Sequence, residues 1–297
     1  MLRPRLRIPR ASQLWRPSIS SRQLHGVPRL PQFNPNEGVP GLLSPGGFDM
    51  AWTQYMELIV ERLNTLIAGD DFEQQDPLSI VKATAREPSQ AHIFNYASMA
   101  YNNHFFFDTL AKVGTEPEEP QGEDRIPENL RAEIIRQFSS VETLRREFLS
   151  TAMGMFGPGF VWLVKPVMTE QFRILPTYLA GTPFTAAHWR RQGIDMNTQG
   201  PDSRDVLAEF MNRTQVGAGA DTGSRFVDPS MASAPGGTEV VPLLCLNTWE
   251  HVWLRDYGIG AKNVGGKRQF VKSWWEVIDW QKVEGRARLV RPKLKYR

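Results

Sequence analysis

The 297-residue sequence has little cysteine and no long apolar run. Its single cysteine, Cys245, excludes an internal disulfide and lies in an apolar segment, which favours a buried thiol over a reactive one. No stretch approaches the roughly 18–20 consecutive apolar residues of a membrane-spanning helix, so we expect a soluble protein. No internal repeat is visible. The remaining composition is sufficient for a packed core, since 41% of the residues are hydrophobic and nine are tryptophan.

Acidic residues are absent from the first 36 positions, which contain seven arginines. Residues 282–297 are also basic, with seven Lys or Arg against one acid, Glu284. Removing these 14 basic residues and one acid from the totals of 35 and 32 leaves 21 basic and 31 acidic residues, a net charge of −10 for the body of the chain. This separation of basic ends from an acidic body bears on the targeting of the protein and on its binding partners, and it does not bear on the fold.

Residues 1–31 are typical of a mitochondrial presequence. They are rich in arginine, contain several serines and no acid, and lack the continuous apolar core of a secretory signal. The alternative is a basic arm that binds nucleic acid directly. The presequence predicts a location in the mitochondrial matrix, with cleavage between Ser21 and Leu30.

Apolar periodicity predicts an α+β fold. Helical spacing over 48–68 and 89–113 predicts an antiparallel helical hairpin domain at 46–114. A linker rich in Pro and Glu, residues 115–124, separates this hairpin from a second domain at 125–281. That second domain is predicted to contain one or two helices over 127–153, a three-stranded antiparallel sheet from 160–164, 171–175 and 240–246, and an aromatic-rich helix over 269–280.

Two further segments have no apolar periodicity. The first, residues 195–239, is a low-complexity insertion that is either a contact surface or a disordered loop. The second, residues 282–297, is predicted to be a solvated basic tail that lies against nucleic-acid phosphates or a partner, or else an ordinary flexible terminus. The tail residues predicted to make these contacts are Lys282, Arg286, Arg288, Arg291, Lys293, Lys295 and Arg297.

The segment 240–257 has the pattern of a metal site. A predicted strand ends at Asn247, and His251 follows four residues later at the start of a predicted helix. A polar side chain at a strand end, followed closely by a histidine, is a common way to place two metal ligands. Asn is a poor substitute for a carboxylate ligand, however, so we expect the chemistry of this site to be lost.

These residues resemble the iron/manganese superoxide dismutase family. The segment from Leu244 to His251 is similar to the family's apolar strand followed by Asp-x-Trp-Glu-His, with Asn247 in place of the Asp. Residues 270–280 are similar to its Trp-rich helix, and residues 153–163 to its glycine turn and first strand. The resemblance covers about residues 48–280 apart from the insertion. It implies the same two-domain fold as the periodicity does.

Family members bind one redox metal through three His and one Asp. Position by position, the resemblance places these ligands at Ala51, Asn103, Asn247 and His251, so one of four remains. His104 lies one residue beyond a ligand position, and a helix turns about 100° per residue, so it should point elsewhere. Ile59 and Phe156 occupy the positions of the Tyr and the amide that control bound solvent. The resemblance therefore implies no metal, no cofactor and no catalytic residue.

The resemblance is strongest to the dismutase-like proteins of the fungal-type mitochondrial small ribosomal subunit. It implies a non-catalytic structural component that supports mitochondrial translation and contacts other small-subunit proteins. It also implies pairing with a second dismutase-like chain through Trp249, Glu250 and His251, and limited rRNA contact through the basic tail. Two alternatives stay open: an active mitochondrial dismutase with a rearranged site made of His104, His251 and Asp256, and a free non-catalytic binding module.

Overall fold

A computed structural model of the chain describes residues 25–85, 87–112, 122–167, 171–184 and 240–289. These residues form N-terminal helices and a C-terminal α/β part, which confirms the predicted α+β class. Among them, no helix combines the length and the apolar character needed to cross a membrane. The insertion at 195–239, the first 24 residues and the last eight lie outside the described residues.

Two long helical segments build the N-terminal part, as the periodicity predicts. The first passes through α1 (Pro45–Phe48), a π-helical turn (Asp49–Gln54) and α2 (Tyr55–Leu66). The second is α4 (Ala91–Asp108), which packs against α2. The apolar faces of both segments contribute to the main core of the protein.

A short helix between these segments, α3 (Pro77–Thr84), was not predicted. It begins with a capping arrangement in which the Asp76 carboxylate accepts hydrogen bonds from the Leu78 and Ser79 amides at 3.0 and 3.1 Å. Pro77 suits the first helical position because its missing N–H would have no partner there. The buried face of α3 packs on α4 and closes a small second core.

Helix α4 ends earlier than predicted, at Asp108 rather than near 113. Beyond it, Leu110 forms an antiparallel bridge with Ile278, and the Ala111 amide donates to the Val277 carbonyl at 2.8 Å. The backbone leaves the helix because these groups find partners in the C-terminal part. This bridge joins the two parts of the molecule.

The C-terminal part contains five α-helices and one sheet within the described residues. Its elements are α5 (Glu128–Phe138), α6 (Val141–Gly154), β1 (Gly159–Pro166), β2 (Arg173–Tyr178), β3 (Val240–Asn247), α7 (Glu250–Tyr257), α8 (Gly266–Glu276) and α9 (Trp280–Ala287). The three strands are antiparallel in the order β2-β1-β3, and every residue of the central strand β1 is buried.

The register of this sheet fixes the end of β3. Phe160 lies opposite Asn247, and Trp162 lies opposite Cys245. Cys245 is fully buried, and this burial raises the pKa of its thiol well above its usual range. It therefore fills the core as a small apolar residue, as the apolar pattern around it predicts.

Two predictions about the C-terminal end were wrong. The helix predicted over 269–280 is two helices, α8 and α9, since the backbone between them pairs with Leu110. The basic tail does not begin at 282, because residues 282–287 belong to α9. Lys282 and Arg286 bind the Asp108 carboxylate at 2.8 and 2.7 Å, and are only partly exposed.

The residues just after position 24 pack with the helical domain. The His25 amide donates to Asn64 Oδ1 at 3.0 Å, and Asn64 Nδ2 donates back to the His25 carbonyl at 2.9 Å. His25 Nε2 also lies 2.7 Å from the Gln75 carbonyl, and Leu30 is buried in the main core. The end of the predicted presequence, residues 25–31, is therefore part of the folded body.

Candidate metal centre

The four positions that correspond to metal ligands come from four different elements. Ala51 lies in the π-helical turn, Asn103 on α4, Asn247 at the end of β3 and His251 in the first turn of α7. Ala51, Asn103 and Asn247 have no solvent exposure. The elements that carry these positions are in contact, since α4 packs against β3 and α7 packs against the π-helical turn.

Three of these positions are joined by one chain of hydrogen bonds. The Trp249 amide donates to Asn247 Oδ1 at 2.9 Å, and Asn247 Nδ2 donates to Asn103 Oδ1 at 3.0 Å. Asn103 Nδ2 then donates to the Ala51 carbonyl at 3.1 Å. Each side-chain amide therefore donates once and accepts once within the core.

The direction of this chain is fixed by its two ends. A backbone N–H, that of Trp249, lies at one end, and a backbone carbonyl, that of Ala51, lies at the other. Rotating the side-chain amide of either Asn by half a turn would place two hydrogen-bond donors or two acceptors opposite each other. Because buried polar groups are costly when unpaired, the two Asn side chains are held in one orientation.

His251 is the remaining imidazole, and it is held by stacking. Its ring lies parallel to that of Tyr55, with centroids 3.9 Å apart and an interplanar angle of 19°. Its Nε2 atom is buried and has no hydrogen-bond partner. Burial lowers the pKa of His251 from 6.5 to about 4, so the ring is neutral at physiological pH. Burial raises the pKa of the Tyr55 hydroxyl.

Sequence reasoning missed Tyr55 as the neighbour of His251. The signal was present, because Tyr55 lies four residues after Ala51 and therefore near the same helical face. A search restricted to metal donors passes over an aromatic side chain. Here that aromatic ring occupies the space beside the histidine.

The alternative metal ligands His104, His251 and Asp256 do not form a cluster among the described residues. The Asp256 carboxylate accepts from the Ser44 amide and hydroxyl at 2.8 and 2.6 Å, which places it at the start of α1. The Asp256 carboxylate lies so close to the Gly47 backbone that a Cβ on Gly47 would be 2.1 Å from its oxygen. The His104 ring packs beside Trp52, with centroids 6.0 Å apart, and burial lowers its pKa. Within the described ranges, no three His, Cys, Asp or Glu side chains cluster as metal ligands.

The residues at this centre do not fit an iron or manganese ion. The family's metal needs three imidazoles and a carboxylate, whereas this centre offers one imidazole, two neutral amides and a methyl group. The amide oxygens of Asn103 and Asn247 already accept hydrogen bonds. A metal would have to displace those bonds without gaining a negative ligand. We derive no redox step through this centre.

The other predicted residues lie in different places. Ile59 is buried in the main core, whereas Phe156 is 96% exposed. Trp249 lies beside His251, with ring centroids 5.7 Å apart, and Glu250 begins α7. Arg288 is exposed just after α9. Arg291, Lys293, Lys295 and Arg297 lie outside the described residues.

Comparison with known proteins agrees with this geometry. The sequence-family model for the C-terminal domain of iron/manganese superoxide dismutases matches residues 126–195 and 227–286. Small ribosomal subunit protein mS43 of Schizosaccharomyces pombe is 26% identical over 264 residues, which cover 88% of this chain and 84% of the relative. Small ribosomal subunit protein mS42 of the same yeast is 27% identical over 216 residues, which cover 72% and 75%.

A catalytic relative matches a shorter stretch. The iron superoxide dismutase of Campylobacter jejuni (serotype O:23/36, strain 81-176) is 32% identical over 143 residues, which cover 48% of this chain and 62% of the enzyme. The α+β fold and the match to the C-terminal domain make the iron/manganese superoxide dismutase fold the class that this chain is similar to. The C-terminal part of the chain is similar to the C-terminal domain of the iron/manganese superoxide dismutases, and three of the four positions that the resemblance assigns to metal ligands carry Ala or Asn.

Proposed function

We propose that this protein is a non-catalytic structural component of the mitochondrial small ribosomal subunit. The observation that carries the proposal is the hydrogen-bonded pair Asn103–Asn247 in place of two metal ligands. The core of a dismutase-like fold is retained, while the side chains at two metal-ligand positions form a hydrogen bond with each other. Two relatives that cover 88% and 72% of this chain are named as small ribosomal subunit proteins, which supports the same assignment.

The mitochondrial matrix is the compartment that fits this role. The first 36 residues contain seven arginines and no acid, as expected for a presequence. The body of the chain has a net charge of −10, which disfavours a broad contact with RNA phosphates. Contacts with other small-subunit proteins therefore dominate, and Arg288 and the residues after it are the candidates for contact with rRNA.

Pairing with a second dismutase-like chain uses Trp249, Glu250 and His251. Two exposed apolar side chains lie nearby, those of Phe156 (96% exposed) and Leu179 (59% exposed). Trp249 Nε1 donates to the Leu179 carbonyl at 3.3 Å, and the Leu179 amide donates to the Pro158 carbonyl two residues beyond Phe156. Exposed apolar side chains next to the proposed pairing residues fit a protein contact.

A double substitution tests this pairing surface. A tagged chain is recovered from mitochondria that also contain the untagged wild-type chain, and dismutase-like partners are identified by mass spectrometry. We expect Phe156→Ser with Leu179→Ser to lose the second chain, whether it is another copy or a paralogue. Ile135→Ser, an exposed apolar residue of α5, is the matched control and should retain it. Equal recovery from both variants would reject the surface.

Metal content and turnover test the absence of catalysis. Purified protein is analysed for iron and manganese and assayed for superoxide removal. We expect well below one metal ion per chain and no turnover above buffer. About one ion per chain, with turnover that His251→Ala abolishes, would establish the alternative of an active dismutase.

A further inference from the structure

A groove on the outer surface runs between α6 and α8, away from the candidate metal centre. It has a volume of about 520 Å³. Its lining residues on α6 recur every three or four positions, so that one face of the helix forms one wall. Below the groove, Phe148 stacks on Trp274 with ring centroids 5.2 Å apart, which fixes the two helices relative to each other. The groove is therefore preformed.

The rim of the groove is basic. Arg145, Arg146, Arg268 and Lys272 line it, against one carboxylate, that of Glu142. Arg145 is already paired, with Glu276 at 3.1 Å and with more distant acids. Among the described residues, Arg146, Arg268 and Lys272 form no ion pair, and all three are exposed. The groove therefore has an excess of positive charge, although the body of the chain has a net charge of −10.

The floor of the groove is apolar. Leu149 and Met153 line it from α6 and Val271 from α8, and Met153 is 45% exposed. No aromatic side chain lines the groove, so bases of a nucleic acid would find no stacking surface. An apolar floor between charged walls is instead the pattern that receives one face of an amphipathic helix.

We propose that this groove binds an acidic amphipathic segment of a neighbouring protein. The apolar side chains of the segment would cover Leu149 and Met153, and its carboxylates would pair with Arg146, Arg268 and Lys272. The neighbour is a small-subunit protein, and this identity rests on the proposed function. The charge and shape of the groove do not depend on that identity.

Zero-length cross-linking tests the occupant directly. The tagged full chain is purified from mitochondria in low-salt, magnesium-containing buffer together with whatever it binds. A carbodiimide then joins lysines to carboxylates in direct contact, and the products are sequenced by mass spectrometry. We expect Lys272 to be linked to an Asp or Glu of another protein. A parallel sample is irradiated with ultraviolet light to find peptides linked to RNA.

Charge reversal supplies the second measurement. Arg268→Glu with Lys272→Glu should reduce recovery of the linked protein by about tenfold, because like charges then face each other. Arg62→Glu, an exposed arginine of α2, is the matched control and should change nothing. Circular dichroism confirms that each variant is folded.

The outcomes separate the groove from the ribosomal assignment. A Lys272 link to an acidic protein segment supports the groove, and small-subunit rRNA in the same sample supports the proposed function. The absence of that rRNA would reject the proposed function alone. RNA-linked peptides from α6 or α8, with no protein link, would reject the acidic segment in favour of nucleic acid. No link of either kind, or equal recovery from the reversed variant, would also overturn the proposal.

Discussion

Asn247 donates its side-chain amide to Asn103 Oδ1 at 3.0 Å, across 144 residues of sequence, with both side chains fully buried. The bond joins the end of β3 to the middle of α4, so it links the two parts of the molecule. Both residues stand at positions that the resemblance assigns to metal ligands. The consequence is that these two side-chain amides are hydrogen-bonded without a bound ion.

Restoring the family's carboxylate should destabilise the protein rather than recreate a site. In Asn247→Asp, one carboxylate oxygen still accepts from the Trp249 amide, but the other faces Asn103 Oδ1. We expect a loss of about 2–4 kcal/mol in the free energy of unfolding near pH 7, measured by urea denaturation. Because burial raises the pKa of such a carboxyl, the loss should grow as pH rises above 4. An unchanged stability would show that the chain of hydrogen bonds does not hold the core.

His251 should make stability depend on pH. Its folded pKa of about 4 lies below the usual 6.5, so the unfolded chain binds the proton first as pH falls. The contribution is complete above pH 6.5 and is lost between 6.5 and 4, with a total on the order of 3 kcal/mol. His251→Phe keeps an aromatic ring against Tyr55 and should flatten this part of the pH profile. The profile is read from urea midpoints at successive pH values, and identical profiles for both proteins would contradict the assignment.

Asp108 should be important for attaching α9. Burial tends to raise the pKa of Asp108, but the hydrogen bond from Lys282 and the charges of Lys282 and Arg286 lower it overall. Asp108→Asn removes both ion pairs and leaves Arg286, which lies over the Phe105 ring, without its anion. Since the carboxylate is about one third exposed, we expect a loss of about 1–2 kcal/mol.

The control for Asp108 is Glu57→Gln, an exposed carboxyl of α2. Thermal or chemical unfolding of the two variants side by side measures the difference. A loss in Asp108→Asn no larger than in Glu57→Gln would show that the cluster is an ordinary surface charge group.

The mature protein should begin no later than His25. The hydrogen bonds between His25 and Asn64 and the burial of Leu30 would be lost if cleavage fell further along the chain. Mass spectrometry of the protein from mitochondria identifies its first residue. A start within 26–31 would contradict this expectation, and a start within 22–25 would agree with it.

Much of the fold could be predicted from apolar spacing. The strand ending at Asn247 and the long helices have clear apolar periodicity. The Asp76-Pro77 pair is also a recognisable start signal for the helix α3, which the periodicity alone does not predict. The ends of α4 and α8 could not be predicted, because a long-range bridge between Leu110 and Ile278 ends both. Spacing describes local structure, and this bridge spans 168 residues.

The site was predictable in its residues but not in its contacts. The resemblance indicates Ala51, Asn103, Asn247 and His251, and hydrogen bonds join the first three in the core. That Asn103 and Asn247 bind each other depends on the distance between two elements, which no sequence pattern contains. The assignment of Lys282 and Arg286 to a solvated tail failed for the same reason, since their anion, Asp108, is remote in sequence.

Gradient sedimentation of a mitochondrial lysate tests the central claim most directly. The lysate is separated in low-salt, magnesium-containing buffer, and the chain is detected in each fraction beside the small-subunit rRNA. The account predicts that the chain migrates with the small subunit and moves to lighter fractions when the magnesium is chelated. A chain that stays at the top of the gradient in intact lysate would contradict the ribosomal assignment.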